Sequence, residues 1–140
     1  MADAVNIFTY GSLMFAPVWT QVVRGSYRSK IATIHGFRRV CVIGGNYPAL
    51  VIAPRATALV GRLYLDVSFA DVARLDHFET REYERVSIAA TVDGHSVIAE
   101  AYLAVNVATL TSKDWSVTRF EDSGLSVFLD TYVVKNSPPD

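Results

Sequence analysis

Residues 82–92 and 95–105 are two long runs separated only by Asp93-Gly94. An Asp-Gly pair fits the two-residue turn in which both central residues take positive φ, so the runs read as one antiparallel hairpin. A long hairpin has an apolar face to cover and free edges to pair, which commits the chain to a sheet with a covered side. Residues 59–67 support this, with Leu59, Gly61, Leu63 and Leu65 alternating against Val60, Arg62, Tyr64 and Asp66.

The other segments fit around that sheet. Residues 5–10 are β-branched and aromatic and stop at Gly11. Ala16-Pro17 opens a helix, with Val18, Trp19, Val22 and Val23 spaced for one face and Gly25 ending the segment. Residues 30–42 read as two strands broken around His35-Gly36, Gly44-Gly45-Asn46 as a turn, and residues 47–52 as a short strand whose Pro48 marks a start or an edge. Ser68 and Asp71 make a capping-box-like helix start, followed by Phe69, Val72 and Leu75 at helical spacing. Beyond Asn106, Trp115, Phe120, Leu125, Phe128, Leu129 and Tyr132 suggest one or two short closing helices. Roughly six strands and two or three helices, joined mainly by hairpins, give an α+β fold with a mainly antiparallel sheet curled around its core. A single domain over residues 1–135 with a loose tail at 136–140 is expected.

The charge pattern narrows function. A formal net charge of −1, with Arg38-Arg39 the one adjacent basic pair, gives no basic surface for nucleic acid. No apolar stretch approaches the length of a membrane span, and the N-terminus carries an acid but no basic region of a signal peptide, so a cytoplasmic protein is expected. The single cysteine, Cys41, lies in an apolar run and reads as a small buried hydrophobe. His35, His77 and His95 have no metal-ligand spacing. Ser12 lacks the second glycine of a nucleophile elbow.

Two features carry chemistry. Glu79 follows Leu75 by four residues and Val72 by seven. If the helix continues that far, its carboxylate lies on the apolar face, where lost hydration raises its pKa toward that of a general acid/base. The alternative is a helix ending by Phe78, with Glu79 solvated in a loop. Tyr10-Gly11-Ser12-Leu13 follows a strand. Glycine permits positive φ there, and successive N–H groups could converge on an anion, or the segment is an ordinary tight turn. Tyr83, four residues after Glu79, either places its hydroxyl near the same pocket or packs on the sheet. His77 either orients the carboxylate or lies on the helix surface.

These segments, in order, resemble the γ-glutamylcyclotransferase-like superfamily, in particular the branch of γ-glutamylamine cyclotransferase and the plant avirulence-induced proteins. The resemblance runs through Phe8-Thr9-Tyr10-Gly11-Ser12-Leu13, Tyr47-Pro48-Ala49-Leu50-Val51, Val60-Gly61-Arg62-Leu63-Tyr64-Leu65-Asp66-Val67, and Leu75-Asp76-His77-Phe78-Glu79 with Tyr83-Glu84-Arg85. It implies a small mixed, mainly antiparallel β-barrel with flanking helices and a cavity at one end. It implies Glu79 at the position of the catalytic glutamate, and Tyr10, Gly11, Ser12 and Leu13 as the loop holding the glutamyl end of a small-molecule γ-glutamyl substrate. The reaction implied is cyclisation to 5-oxoproline with release of an amine or amino acid, needing no metal or cofactor, in a monomer or homodimer. Tyr47, Arg81 and the 115–120 region are candidates for the far side of the cavity. Thr80 departs from the glycine that many members carry after the glutamate. A binding or interaction module on the same fold is the competing expectation.

Overall fold

The structure is a computed structural model and describes residues 4–43, 47–106, 108 and 110–133. The expected hairpin is present in full. Strand β6 (Tyr83–Val92) pairs residue for residue with β7 (His95–Ala104), from Tyr83 opposite Ala104 to Val92 opposite His95. The turn takes φ of 50° at Asp93 and 79° at Gly94, as the Asp-Gly pair requires.

The hairpin's edges are used to close a barrel. Strands β1 (Ala4–Thr9), β2 (Ser29–Ile34) and β5 (Leu59–Ser68) complete a five-stranded ring in the order β1-β5-β2-β6-β7. Closure is narrow at two seams: β2 meets β6 at Thr33 and Thr91, and β1 meets β7 in parallel at Ile7 and Glu100. That parallel seam makes the barrel mixed. A second sheet, β4-β3-β8, lies beside it, built from β3 (Phe37–Val42), β4 (Pro48–Ile52) and β8 (Leu110–Asp114).

The described residues hold eight strands against the roughly six expected, and β8 is the one that no segment read as a strand covers. β8 was unreadable because Leu-Thr-Ser-Lys-Asp has no apolar alternation; it is tied to β3 by backbone pairing and by Arg38, whose guanidinium meets Asp114 at 2.6 Å and the Ser112 carbonyl at 3.0 Å. The Gly44-Gly45-Asn46 turn and the 136–140 tail lie outside the described residues.

Alternation sorts side chains between two cores. Phe8, Leu63, Ala99 and Ala101 fill the barrel, while Ile7, Tyr64 and Tyr102 face the helices. A bulge in β5 sets this up. Val5 pairs with Val67 and Ile7 with Tyr64, which leaves Leu65 and Asp66 opposite Asn6. Asp66 takes a φ of 53°, its N–H bonded to Asn6 Oδ1 at 3.1 Å. The extra residue turns Val67 to the helix side, beside Tyr64, rather than to the Leu63 side.

Helix α1 (Ala16–Val22) buries Val18, Trp19 and Val22, with Trp19 stacked on Tyr64 at 3.6 Å between ring centroids. The closing segment, 117–133, winds through alternating α- and π-helical turns and buries Phe120, Phe128 and Val133. No described helix is long and apolar enough to cross a membrane.

Candidate active site

Helix α2 (Phe69–Glu79) packs into the helix-side core, against Ile7, Tyr64, Val67 and Tyr102, with Val72, Leu75 and Phe78 buried. Ser68 caps it by accepting the Asp71 N–H at 3.2 Å. Asp71 does not return the bond as a capping box would; the Ser68 N–H is bonded to the Tyr27 hydroxyl at 3.3 Å instead. The buried Asp71 carboxylate accepts from the N–H groups of Arg24 and Gly25 (both 2.9 Å), the Tyr27 hydroxyl (2.5 Å) and the Arg74 guanidinium (2.7 Å). Burial alone would raise its pKa, but the bonds from Tyr27, Arg24, Gly25 and Arg74 hold it below the ordinary carboxylate range.

The helix continues through Glu79, its last residue, so this half-buried side chain is held by the helix rather than by a loop. Glu79 lines a cavity of about 410 Å³, mouth included, together with the whole Tyr10-Gly11-Ser12-Leu13 segment and Tyr83. The residues singled out in the sequence are therefore gathered in one place. Burial, then the nearby carboxylates of Asp76 and Glu82, push the Glu79 carboxyl up to about 8. Its carboxylate has no hydrogen bond or ion pair among the described residues.

The loop's glycine is needed for a different reason from the one anticipated. Gly11 has a φ of −137°, not a positive one. A Cβ there would meet the Pro48 ring at 2.5 Å, so Gly11 is the seat against which Pro48 packs. The segment then tightens into a short 3₁₀ turn, with the Met14 N–H bonded to the Gly11 carbonyl at 3.0 Å. The N–H groups of Gly11, Ser12 and Leu13 find no backbone acceptor among the described residues, so the turn leaves three donors beside the cavity.

Tyrosines form much of the remaining wall, each hydroxyl aimed by an acceptor. Tyr10 donates to the Tyr102 carbonyl (2.7 Å), Tyr83 to the Pro48 carbonyl (2.9 Å), Tyr132 to the Phe78 carbonyl (3.1 Å) and Tyr102 to Asp76 (2.6 Å). Burial above all, with nearby Glu79 or Asp76 adding, raises all four phenols, so they stay neutral donors. Asp76 is also held by Arg85 at 3.0 Å, and Arg85 in turn pairs with Glu100.

The far side differs from expectation. Tyr47 lines the cavity, but Arg81 is exposed, and Trp115 and Phe120 are buried in the helix-side core. Phe128, Tyr132 and Tyr102 stand there instead. The sequence places Phe128 and Tyr132 only in a short closing helix, which gives no sign that they border a cavity. His77, His35 and His95 are all exposed, and Cys41 is partly buried against the core. Among the described residues, no three His, Cys, Asp or Glu side chains are grouped to hold a metal ion.

Thr80, immediately after Glu79, takes φ 65° and ψ −165°, a region that suits glycine. Such backbone costs a β-branched residue about 1–3 kcal/mol, while glycine gives back up to about 1 kcal/mol in chain entropy. Thr80→Gly is therefore expected to stabilise the protein by up to about 2 kcal/mol in urea unfolding. A less stable variant would show that the Thr80 side chain, which accepts the Glu82 N–H at 3.3 Å, outweighs the strain.

A family model described as gamma-glutamyl cyclotransferase, AIG2-like, matches residues 7–117. AIG2-like protein A of Arabidopsis thaliana is 25% identical over 130 residues, spanning 91% of this chain and 78% of that one. Protein AIG2 C of the same plant is 29% identical over 103 residues, 72% of this chain and 62% of its own. A solution structure of an Arabidopsis thaliana protein superposes with a TM-score of 0.68 at 22% identity, covering 98% of this chain and 96% of that one. A structure titled gamma-glutamyl cyclotransferase gives 0.62 at 15% identity, covering 98% and 90%. At these identities the superpositions show the fold alone.

Proposed function

The chain belongs to the gamma-glutamyl cyclotransferase, AIG2-like family, and from that premise we propose that it cyclises a γ-glutamyl group to 5-oxoproline, with Glu79 as general acid/base. The observation that carries this reading is that the Glu79 carboxylate, without hydrogen bond or ion pair among the described residues, lines the same cavity as a turn of unoccupied N–H groups, where burial raises its pKa.

In the proposed reaction, the substrate's α-amino nitrogen attacks its own γ-carbonyl carbon. Glu79 accepts a proton from that nitrogen, and the carbonyl oxygen becomes an oxyanion facing the Gly11, Ser12 and Leu13 amides. The oxyanion collapses, the bond to the leaving nitrogen breaks, and Glu79 returns the proton to it. The products are 5-oxoproline and a free amine or amino acid. The nucleophile is tethered, so the protein's task is orientation and charge. We assign the glutamyl end of this small-molecule substrate to the same loop, with Tyr10 and Tyr83 beside it.

The pKa matters in magnitude. The α-amino group of a γ-glutamyl compound sits beside its own free α-carboxylate, which holds its pKa above the roughly 8 of a peptide N-terminus, and each unit of mismatch costs about 1.4 kcal/mol. A carboxylate at its ordinary 4.5 would take that proton at a cost of at least about 5 kcal/mol. Raising Glu79 to about 8 removes most of that cost.

The base must be ionised and the substrate amine must still carry the proton it gives up, so kcat/KM for 5-oxoproline release should rise with pH through about 8 and fall again as the free amine loses its proton. The surrounding phenols remain neutral over that range and do not contribute. Asp76→Asn keeps acceptors for Tyr102 and Arg85 but removes a like charge, so it should move the midpoint to lower pH. A midpoint that stays near 4.5, or that Asp76→Asn does not lower, contradicts the assignment.

A further inference from the structure

Arg39 is a half-buried cation on β3, outside the barrel and outside the cavity lining. Asp114 favours its charged form through space but lies beyond salt-bridge distance, and no other carboxylate is that near among the described residues. Cations removed from water are ordinarily matched by an anion. Arg39 instead donates from Nη1 to the backbone carbonyl of Tyr10 at 3.0 Å. Its guanidinium lies over the Trp115 ring, 5.8 Å from the centroid, and the Trp115 N–H bonds back to the Arg39 carbonyl at 3.2 Å.

The Tyr10 carbonyl belongs to the first peptide plane of the candidate loop. In a trans peptide the C=O and the following N–H point in opposite directions. Fixing the Tyr10 carbonyl toward Arg39 therefore fixes the Gly11 N–H on the opposite side. The second anchor of this segment, Pro48 against Gly11, holds the chain's position but not the rotation of that plane.

We propose that Arg39 is a positioning residue: it sets the Tyr10–Gly11 peptide orientation, and through it the direction in which the Gly11 N–H meets substrate. The proposal rests on the cyclotransferase reading for its kinetic consequence but not for its structural one. Arginine suits the task better than lysine because its planar head can stack on Trp115 while donating to the carbonyl. Arg38, the adjacent residue, pairs with the exposed Asp114 and serves as the control.

The test uses the full-length chain and three variants: Arg39→Met, Arg39→Lys and Arg38→Met. Residual dipolar couplings of ¹⁵N-labelled protein should show the Gly11 N–H vector reoriented in Arg39→Met and unchanged in Arg38→Met. Release of 5-oxoproline should fall about 10-fold or more in kcat/KM for Arg39→Met, with Arg39→Lys between it and the wild type. If Arg39→Met does not fold, Arg39→Lys carries both measurements. A Gly11 vector unchanged in the Arg39 variants, or kcat/KM within two-fold of wild type, overturns the proposal. If the wild type itself releases no 5-oxoproline, the cyclotransferase reading fails, and the dipolar couplings still decide the structural role.

Discussion

Glu79→Gln is expected to lower 5-oxoproline release by about 10²–10⁴-fold while making the protein more stable at pH 8. The glutamine keeps the side chain's shape and cannot take a proton from the attacking amine. Its stability effect follows from proton linkage. The Glu79 carboxyl is raised from 4.5 to about 8 in the folded state, by burial and then by Asp76 and Glu82. Between those values the folded protein binds more protons than the unfolded chain, so wild-type stability falls as pH rises through that window. Glutamine does not ionise and escapes the loss. Urea unfolding should therefore show the variant more stable than wild type at pH 8, with the difference shrinking toward pH 5. The pairing of lost turnover with gained stability separates a strained functional carboxylate from a structural one, whose removal would lower both. Equal stability at both pH values, or full turnover, removes Glu79 from the role.

Asp71→Ala carries the largest expected stability loss. Its carboxylate is 2% exposed and joins the 24–27 segment to the start of α2 through Arg24, Gly25, Tyr27 and Arg74. Alanine leaves those donors without their acceptor and Arg74 without its counter-charge. Breaking a buried ion pair costs about 3–5 kcal/mol, and Arg74 remains partly hydrated, so about 3 kcal/mol is expected. That is a large share of a typical total of about 5–15 kcal/mol. The pH dependence has the opposite sign to that of Glu79. Asp71 is held below its ordinary 3.8, so its stabilisation is present above that value and is lost as pH falls through the lower folded value. Thermal unfolding of Asp71→Asn, compared with wild type from pH 7 down to pH 3, should show the variant less stable at pH 7 and the gap narrowing in acid. A constant gap would mean that the hydrogen bonds, and not the charge, hold this corner.

Local pattern made much of the fold legible. The Asp-Gly hairpin, the alternation in β5 and the faces of α1 and α2 are set by neighbouring residues, so sequence spacing reports them. The α+β class and the curled sheet follow from the run of strands and hairpins, but the closed barrel follows only from the resemblance, since β1 meets β7 at a single bridge that no local signal encodes. β8 was missed because its partner on β3, and not its own composition, makes it a strand. At the site, Glu79 was visible, but whether it ended inside the helix depended on Thr80, whose positive φ stops α2 one residue later. Gly11 was visible for the wrong reason, because the Pro48 ring that demands it arrives from 37 positions away in the chain. Asp71 read as half of a capping box, and its actual partners in 24–27 belong to a different loop. Phe128 and Tyr132 carried helical spacing, and only packing against Phe78 and Tyr47 brings them to the cavity.

Cyclisation and hydrolysis of a γ-glutamyl group release the same amine and differ in the other product, so product identity separates them. Wild-type protein is incubated above pH 8 with a panel of γ-glutamyl amines, γ-glutamyl amino acids and glutathione, and 5-oxoproline, glutamate and the leaving amine are quantified together. At least one panel member is expected to give 5-oxoproline and free amine in equal amounts. Glutamate in place of 5-oxoproline would make water the nucleophile and contradict the mechanism. Binding of 5-oxoproline without turnover of any member would place the chain among ligand-binding modules built on an enzyme's fold.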